Sequence, residues 1–343
     1  MNLDLRTCNC VLLSLLAVWL STSCSGKPGK YLLRSPYEDG YAPRYKVNFH
    51  AHTTRRDKQY AYSPLKLFEM AKEYGFDAFA ITDLPHAGGI VEDPGVAGVL
   101  HIPGIEYGGK PHLIGIGIDS LTDSDDKQVQ IDHIKKQGGL AYIPHPHWGG
   151  YDEAVMDSYD GYFGISVFNS LTYGVAEAKG VASEVIPYNE KVIDAMLTKG
   201  KSVAIIAEED TKYEGTHRYG HQLNTAWVKI WDIDPEPPVE VSRLLEAVSA
   251  HRFTSHARHL RSHPDPPEFL RISTNGLWLS VVLDKPSNIK FISAGGRVKK
   301  EVKRSTTARY KVSPKDKYIR IKATYTDGYS SWAWTNPVYI HKR

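Results

Sequence analysis

The chain has 343 residues, 41% hydrophobic and 24% charged, which allows a sizeable buried core in one large domain or two ordinary ones and excludes a disordered or fibrous chain. Its net charge of +3 is small and evenly spread, so neither nucleic acid nor an acidic membrane surface is an expected partner. The three cysteines, Cys8, Cys10 and Cys24, all lie near the start, so any metal in the remaining chain must be held by His, Asp and Glu.

Residues 1–23 read as an export signal: Arg6, an apolar run over 11–20 too short to span a bilayer comfortably, then Ser21-Thr22-Ser23. They resemble a bacterial lipoprotein signal with Cys24 as the lipidated residue, although Leu20 stands four positions before the Cys where three is usual. Simple secretion after Ser23 is the alternative. The expected location is periplasmic or cell-surface, with membrane contact through the lipid anchor only. Residues 24–44, rich in Gly, Pro, Ser and Tyr, read as a linker.

From residue 45 short apolar runs recur, at 45–49, 78–82, 99–105, 112–118, 140–144, 164–169 and 202–207. Helical patterns separate several of them: 64–74, opened by Ser63-Pro64 and closed by Gly75, and 189–199, closed by Gly200. Alternation of strands with helices predicts a largely parallel sheet, hence an α/β fold, a distorted (β/α)7-type barrel over 45–262. A last helix is predicted near 239–251. Pro264-Asp265-Pro266-Pro267 marks a boundary, after which 277–283, 289–292, 318–323 and 337–340 follow a strand period. Turns at Gly295-Gly296 and Asp327-Gly328 complete a small antiparallel β domain at 268–343, which carries no cluster of acids or histidines.

In such a barrel the chemistry gathers where strands end. His50 and His52 follow the first run, Asp83 the second, Glu106 the third, His145 and His147 the fifth, Asn169 the sixth and Asp210 the seventh. His50 and His52 flank one small residue, so in extended chain both rings point the same way. His112 is the exception, because it opens its run. Such a set suits two cations sharing a carboxylate, with Glu106 as the bridge. Imidazole and carboxylate ligands fit Zn, Mn or Fe.

These residues resemble the PHP family, the polymerase and histidinol phosphatase domain of metal-dependent phosphoesterases. The matches run in order over most of 45–260: Asn48-Phe49-His50-Ala51-His52-Thr53-Thr54, Phe79-Ala80-Ile81-Thr82-Asp83, Pro103-Gly104-Ile105-Glu106, His112-Leu113-Ile114-Gly115, Tyr142-Ile143-Pro144-His145-Pro146 and Glu208-Glu209-Asp210. The ending Trp334-Thr335-Asn336-Pro337-Val338-Tyr339 is similar to that of exported members with a β domain after the barrel. The resemblance implies one ion held by His50, His52, Glu106 and Asp210, and a second held by Glu106, His112 and His145. Asp57 fits a carboxylate of the family's third ion, but Leu84 and Lys212 stand where its histidines belong, with His86 or His217 as substitutes. Two ions are therefore expected rather than three.

Asp83 is then an orienter of ligand histidines. Lys212 places a positive charge where a third cation would sit, and His147 or His217 could protonate a leaving oxygen. His147 with Trp148 either lines the pocket or packs in a loop; Asn169 either bonds a ligand or serves its strand end. His101, inside an apolar run, reads as a core or edge histidine. The expected function is an exported metal-dependent hydrolase of ester bonds, a phosphoesterase acting on a small-molecule or glycan-linked phosphoester. The alternatives are an amidohydrolase-like metalloenzyme and a PHP barrel that has lost its metals and binds at the cell surface.

Overall fold

Local chemistry sets the helix ends. In the computed structural model, which describes residues 30–343 except 38–39, 56–61, 213–222, 233–239 and 328, the first helix, α1 (Pro64–Glu73), starts where the Ser63 hydroxyl accepts the Lys66 N–H at 3.2 Å. It buries Leu67, Phe68, Met70 and Ala71 on one face. Asp126 and Asp152 cap α2 (Lys127–Lys136) and α4 (Glu153–Asp157) in the same way, with the one-turn α3 (Pro146–Gly149) between them. Asn169 caps α5 (Ser170–Ala178), α6 (Ala182–Lys199) ends at Gly200 with φ +93, and α7 is Val241–Ser249. The pattern for α6 is legible only from residue 189, because Pro187 inside it reads as a breaker.

The strands are β1 (Tyr31–Arg34), β2 (Ala42–Asn48), β3 (Ala78–Ile81), β4 (Leu100–Tyr107), β5 (Leu113–Ile116), β6 (Leu140–Ile143), β7 (Gly164–Asn169), β8 (Ala204–Glu208), β9 (Ala226–Asp232), β10 (Phe253–Arg258), β11 (Phe269–Asn275), β12 (Trp278–Ser293), β13 (Arg297–Lys311), β14 (Tyr318–Tyr325), β15 (Ser331–Thr335) and β16 (Val338–Lys342). Strands β2 to β8 lie side by side in chain order. The pairs β2–β3, β3–β4, β6–β7 and β7–β8 are parallel; only β5 runs against its neighbours. The fold is thus mixed α/β with a large, mostly parallel central sheet and a further antiparallel region. Beyond β8 the chain returns to β2 in one parallel bridge, Ala51 to Thr211.

Within 45–262, strands β9 and β10 have no counterpart among the predicted runs. They extend the sheet antiparallel from β2, and β10 pairs in turn with β15 of the C-terminal β region. The segment Phe-Thr-Ser-His-Ala-Arg of β10 is polar, yet every residue is buried. Its polar groups are paired: Ser255 Oγ donates to the Ile205 carbonyl at 2.7 Å, and His256 lies 2.8 Å from Thr254 Oγ1. The antiparallel region has its own apolar cluster around Leu279, Phe291, Ile321 and Ala333. Among the described residues no helix is long and apolar enough to cross a membrane.

Candidate metal centre

Past β2 the extended chain puts Ala51 into the apolar core beside Phe79 and Ile81, while His50 and His52 face the other way. The Ala51–Thr211 bridge brings Asp210 alongside: His52 N donates to the Thr211 carbonyl at 2.8 Å and Asp210 N to the His50 carbonyl at 2.9 Å. Asn48 reinforces the join, donating to the His50 carbonyl and accepting from Glu209 N. The two Nε2 atoms end 3.2 Å apart, with Asp210 Oδ1 at 3.4 Å from His50 and 3.3 Å from His52. All three side chains are buried. Asp210 holds φ +53 and His145 φ +35, left-handed conformations that non-glycine residues adopt uncommonly and at some cost in backbone strain.

A second cluster adjoins it. Glu106 near the end of β4, His112 just before β5 and His145 just after β6 place their ligand atoms within 4.8 Å of one another. His112 reaches the site although it opens its strand, because β5 is antiparallel and begins at the edge where β4 and β6 end. Glu106 links the clusters: Oε2 lies 3.0 Å from His52 Nε2, while Oε1 lies 2.8 Å from His112 Nδ1 and 3.5 Å from His145 Nε2. His112 keeps a side-chain exposure of 28%, so this end of the site opens to solvent.

The carboxylates around these ligands orient them. Glu208 Oε2 sits 2.9 Å from His50 Nδ1, which leaves Nε2 to face Asp210. Asp83, 3.6 Å from His52 Nδ1, is itself held by the Thr53 N–H at 2.8 Å and hydroxyl at 2.5 Å. Asn169 Nδ2 donates to Glu208 at 2.9 Å and to Asp210 at 3.2 Å, and its Oδ1 caps α5. Burial alone would lower the His50 pKa, but the charges of Asp210 and Glu208 push it up to about 10. Burial opposes ionisation of Glu106 and Asp210 too; the surrounding histidines, and for Asp210 also Lys212, hold both well below the usual carboxylate range. Glu209 points the other way. Burial pushes it up to about 7, although it accepts from Thr225 N, Ala226 N and the Thr225 hydroxyl.

The donor set fits divalent cations. Two imidazole nitrogens at 3.2 Å cannot both carry protons comfortably, and the buried Asp210 Oδ1 faces both of them at 3.3–3.4 Å. A cation among the three would satisfy all of them, and Glu106 has a second oxygen for a neighbouring ion.

Of the residues expected from sequence, His50, His52, Glu106, His112, His145 and Asp210 come together, with Asp83 and Asn169 behind them. Lys212 Nζ lies 3.0 Å from Asp210 Oδ1. His147 instead packs its ring edge-on to Tyr188 and donates its backbone N–H to Asn189. His86 is exposed in the 3-10 turn Pro85–Ala87, and His101 packs on Phe68. Asp57 and His217 lie outside the described residues. Sequence reasoning passed over Glu208. Strand alternation was the available signal, since it places 208 and 210 on one face and 209 on the other.

No family model matches the chain, and no curated protein matches it. Among solved structures, it is similar to an amidohydrolase from Chromobacterium violaceum with bound sulfate and no metal, at 14% identity and a TM-score of 0.35 over 60% of this chain and 96% of that one. It is also similar to a protein described as a metal-dependent phosphoesterase from Bifidobacterium adolescentis, at 12% identity and a TM-score of 0.34 over 53% of this chain and 91% of that one. Likenesses at this level assign neither family nor activity.

Proposed function

We propose that this chain is an exported, lipid-anchored phosphoesterase of the PHP type that uses two divalent ions, Zn, Mn or Fe, to hydrolyse a small-molecule or glycan-linked phosphate ester. The observation that carries the reading is Glu106, whose two oxygens face two separate nitrogen-rich clusters. The bridge from Ala51 to Thr211 supports a closed barrel with the site at its mouth. Lys212 beside Asp210 supports two ions rather than three.

In this reading His50, His52, Glu106 and Asp210 hold one ion, and Glu106, His112 and His145 the other. Bound there, the ions would supply Lewis-acid stabilisation of a phosphate and activation of water near neutral pH. Glu208 and Asp83 keep the ligand rings aimed. Lys212 adds a positive charge against the developing negative charge on phosphate oxygens. The half-exposed His112 marks the side from which substrate enters.

Metal analysis of the purified protein, together with phosphate release from a mixed phosphoester panel and an amide panel run in parallel, tests the proposal. Bound metal with phosphate release supports it, amide cleavage alone would favour an amidohydrolase-like enzyme, and absence of both metal and turnover would leave a binding protein. Retention of full metal content and activity in His50→Ala would sink the site assignment.

A further inference from the structure

Glu208 is completely buried and contacts four residues from three other segments. Its Oε2 faces His50 Nδ1 at 2.9 Å and accepts from Tyr142 Oη at 2.7 Å; its Oε1 accepts from Asn169 Nδ2 at 2.9 Å and from the His145 backbone N–H at 3.3 Å. These partners sit at the ends of β2, β6 and β7, and Glu208 itself ends β8. His50 belongs to one cluster and His145 to the other. Asn169 extends the contact to Asp210 at 3.2 Å. Glu106, by contrast, lies between the two clusters, and the ligand histidine that Asp83 adjoins is His52, in the first of them.

We infer that Glu208 is a positioning residue that couples the two halves of the metal centre, so that both ions are held or lost together through it. The inference rests on the two-ion reading above. Its physical basis is that one carboxylate sets the ring orientation of His50 through Nδ1 and the strained backbone of His145 through its N–H. Loss of its charge releases a ligand in each cluster. A residue that merely supported His50 would affect one ion only.

The test is calorimetric titration of the chelator-stripped full chain with Mn²⁺ and Zn²⁺, with metal content measured after dialysis, on wild type, Glu208→Gln and His50→Gln. The expected result is that Glu208→Gln weakens both ions by about 10- to 100-fold, whereas His50→Gln weakens the first and leaves the ion at Glu106, His112 and His145 near its wild-type affinity. If Glu208→Gln weakens one ion or neither, the coupling role is overturned while the metal centre stands. If His50→Gln weakens both equally, coupling runs between the ions and not through Glu208, and the inference is again overturned. A wild type that binds neither metal would overturn the two-ion reading itself, and the inference with it. Should Glu208→Gln fail to fold, Tyr142→Phe removes one of the four contacts; a parallel loss of severalfold in both affinities supports the inference, and an unchanged pair of affinities overturns it.

Discussion

Two regions of this molecule bury clusters of ionisable side chains, and they balance their charge differently. Where α6 meets the antiparallel region, Arg320 grips Asp194 through Nε at 2.8 Å and Nη2 at 2.6 Å, with Tyr318 Oη also donating to Asp194. Beside them Lys322 pairs with Glu190 at 3.0 Å, and Trp334 Nε1 donates to the same carboxylate. Two acids meet two bases, and the cluster is neutral as it stands. At the strand ends of the central sheet, Asp83, Glu106, Glu208 and Asp210 surround four histidines with a single lysine, Lys212. That arrangement is balanced only by protons on the histidines or by cations in their place. A buried ionic cluster that is complete carries its own compensation; one that is short of positive charge needs protons or cations to supply it.

The largest expected effect breaks the first region. Arg320→Ala leaves Asp194 buried without its guanidinium and should cost about 3–5 kcal/mol, read as a lower urea midpoint that chelator does not change. A midpoint within error of wild type would show that the cluster does not lock α6 to β14. The second region should respond to metal instead. Divalent ion at roughly 100-fold its Kd should raise stability by about 2.7 kcal/mol per ion, reversibly by chelator, and by a smaller total in Asp210→Asn, which removes a ligand of one ion only. The same increment should appear in Arg320→Ala, since the two clusters share no residue.

A smaller effect sharpens the contrast with pH. Burial pushes His256 down to about 3 and His251 to about 4, so both are neutral in the folded chain. Below the unfolded value of 6.5 the unfolded chain binds protons that the folded chain refuses, so stability falls with pH from there towards about 4. Above it neither histidine contributes. Each should add a slope of about 1.4 kcal/mol per pH unit, and His256→Gln should flatten the urea-midpoint profile by one such share. An unchanged profile would mean that His256 titrates alike folded and unfolded. The smallest effect is remote from both clusters: Ser63→Ala removes the α1 cap and should cost about 1 kcal/mol without altering the metal increment. A change in that increment would mean that α1 helps position His50 and His52.

Much of the site was legible in the sequence because strands advertise their ends. The runs closing at His50-Ala51-His52, Glu106, His145 and Asp210 are short, apolar and terminated by polar residues, and parallel strands bring such ends to one edge. His112 could not be read this way, because strand direction is not encoded in an apolar run; only the pairing of β5 against β4 and β6 turns its beginning toward the site. Strand β10 was illegible for a different reason. Its polar residues look like surface until Ile205, Pro267 and Asp265 are seen to satisfy them. Helix α6 was read short because Pro187 removes one helical hydrogen bond, a loss that packing of Val185, Ile186 and Val192 offsets.

By itself, then, the sequence determined the residue types available for chemistry, the absence of thiolate ligands beyond Cys24, and the alternation that puts His50 and His52 on one face, because these follow from composition and from a two-residue period. Tertiary structure alone decided that Glu106 lies between two clusters, that Lys212 lies on Asp210, and that Glu208 stands behind both His50 and His145. Those contacts join residues from different strands, and distances across a sheet are set by strand order, direction and register, none of which a single run of residues contains.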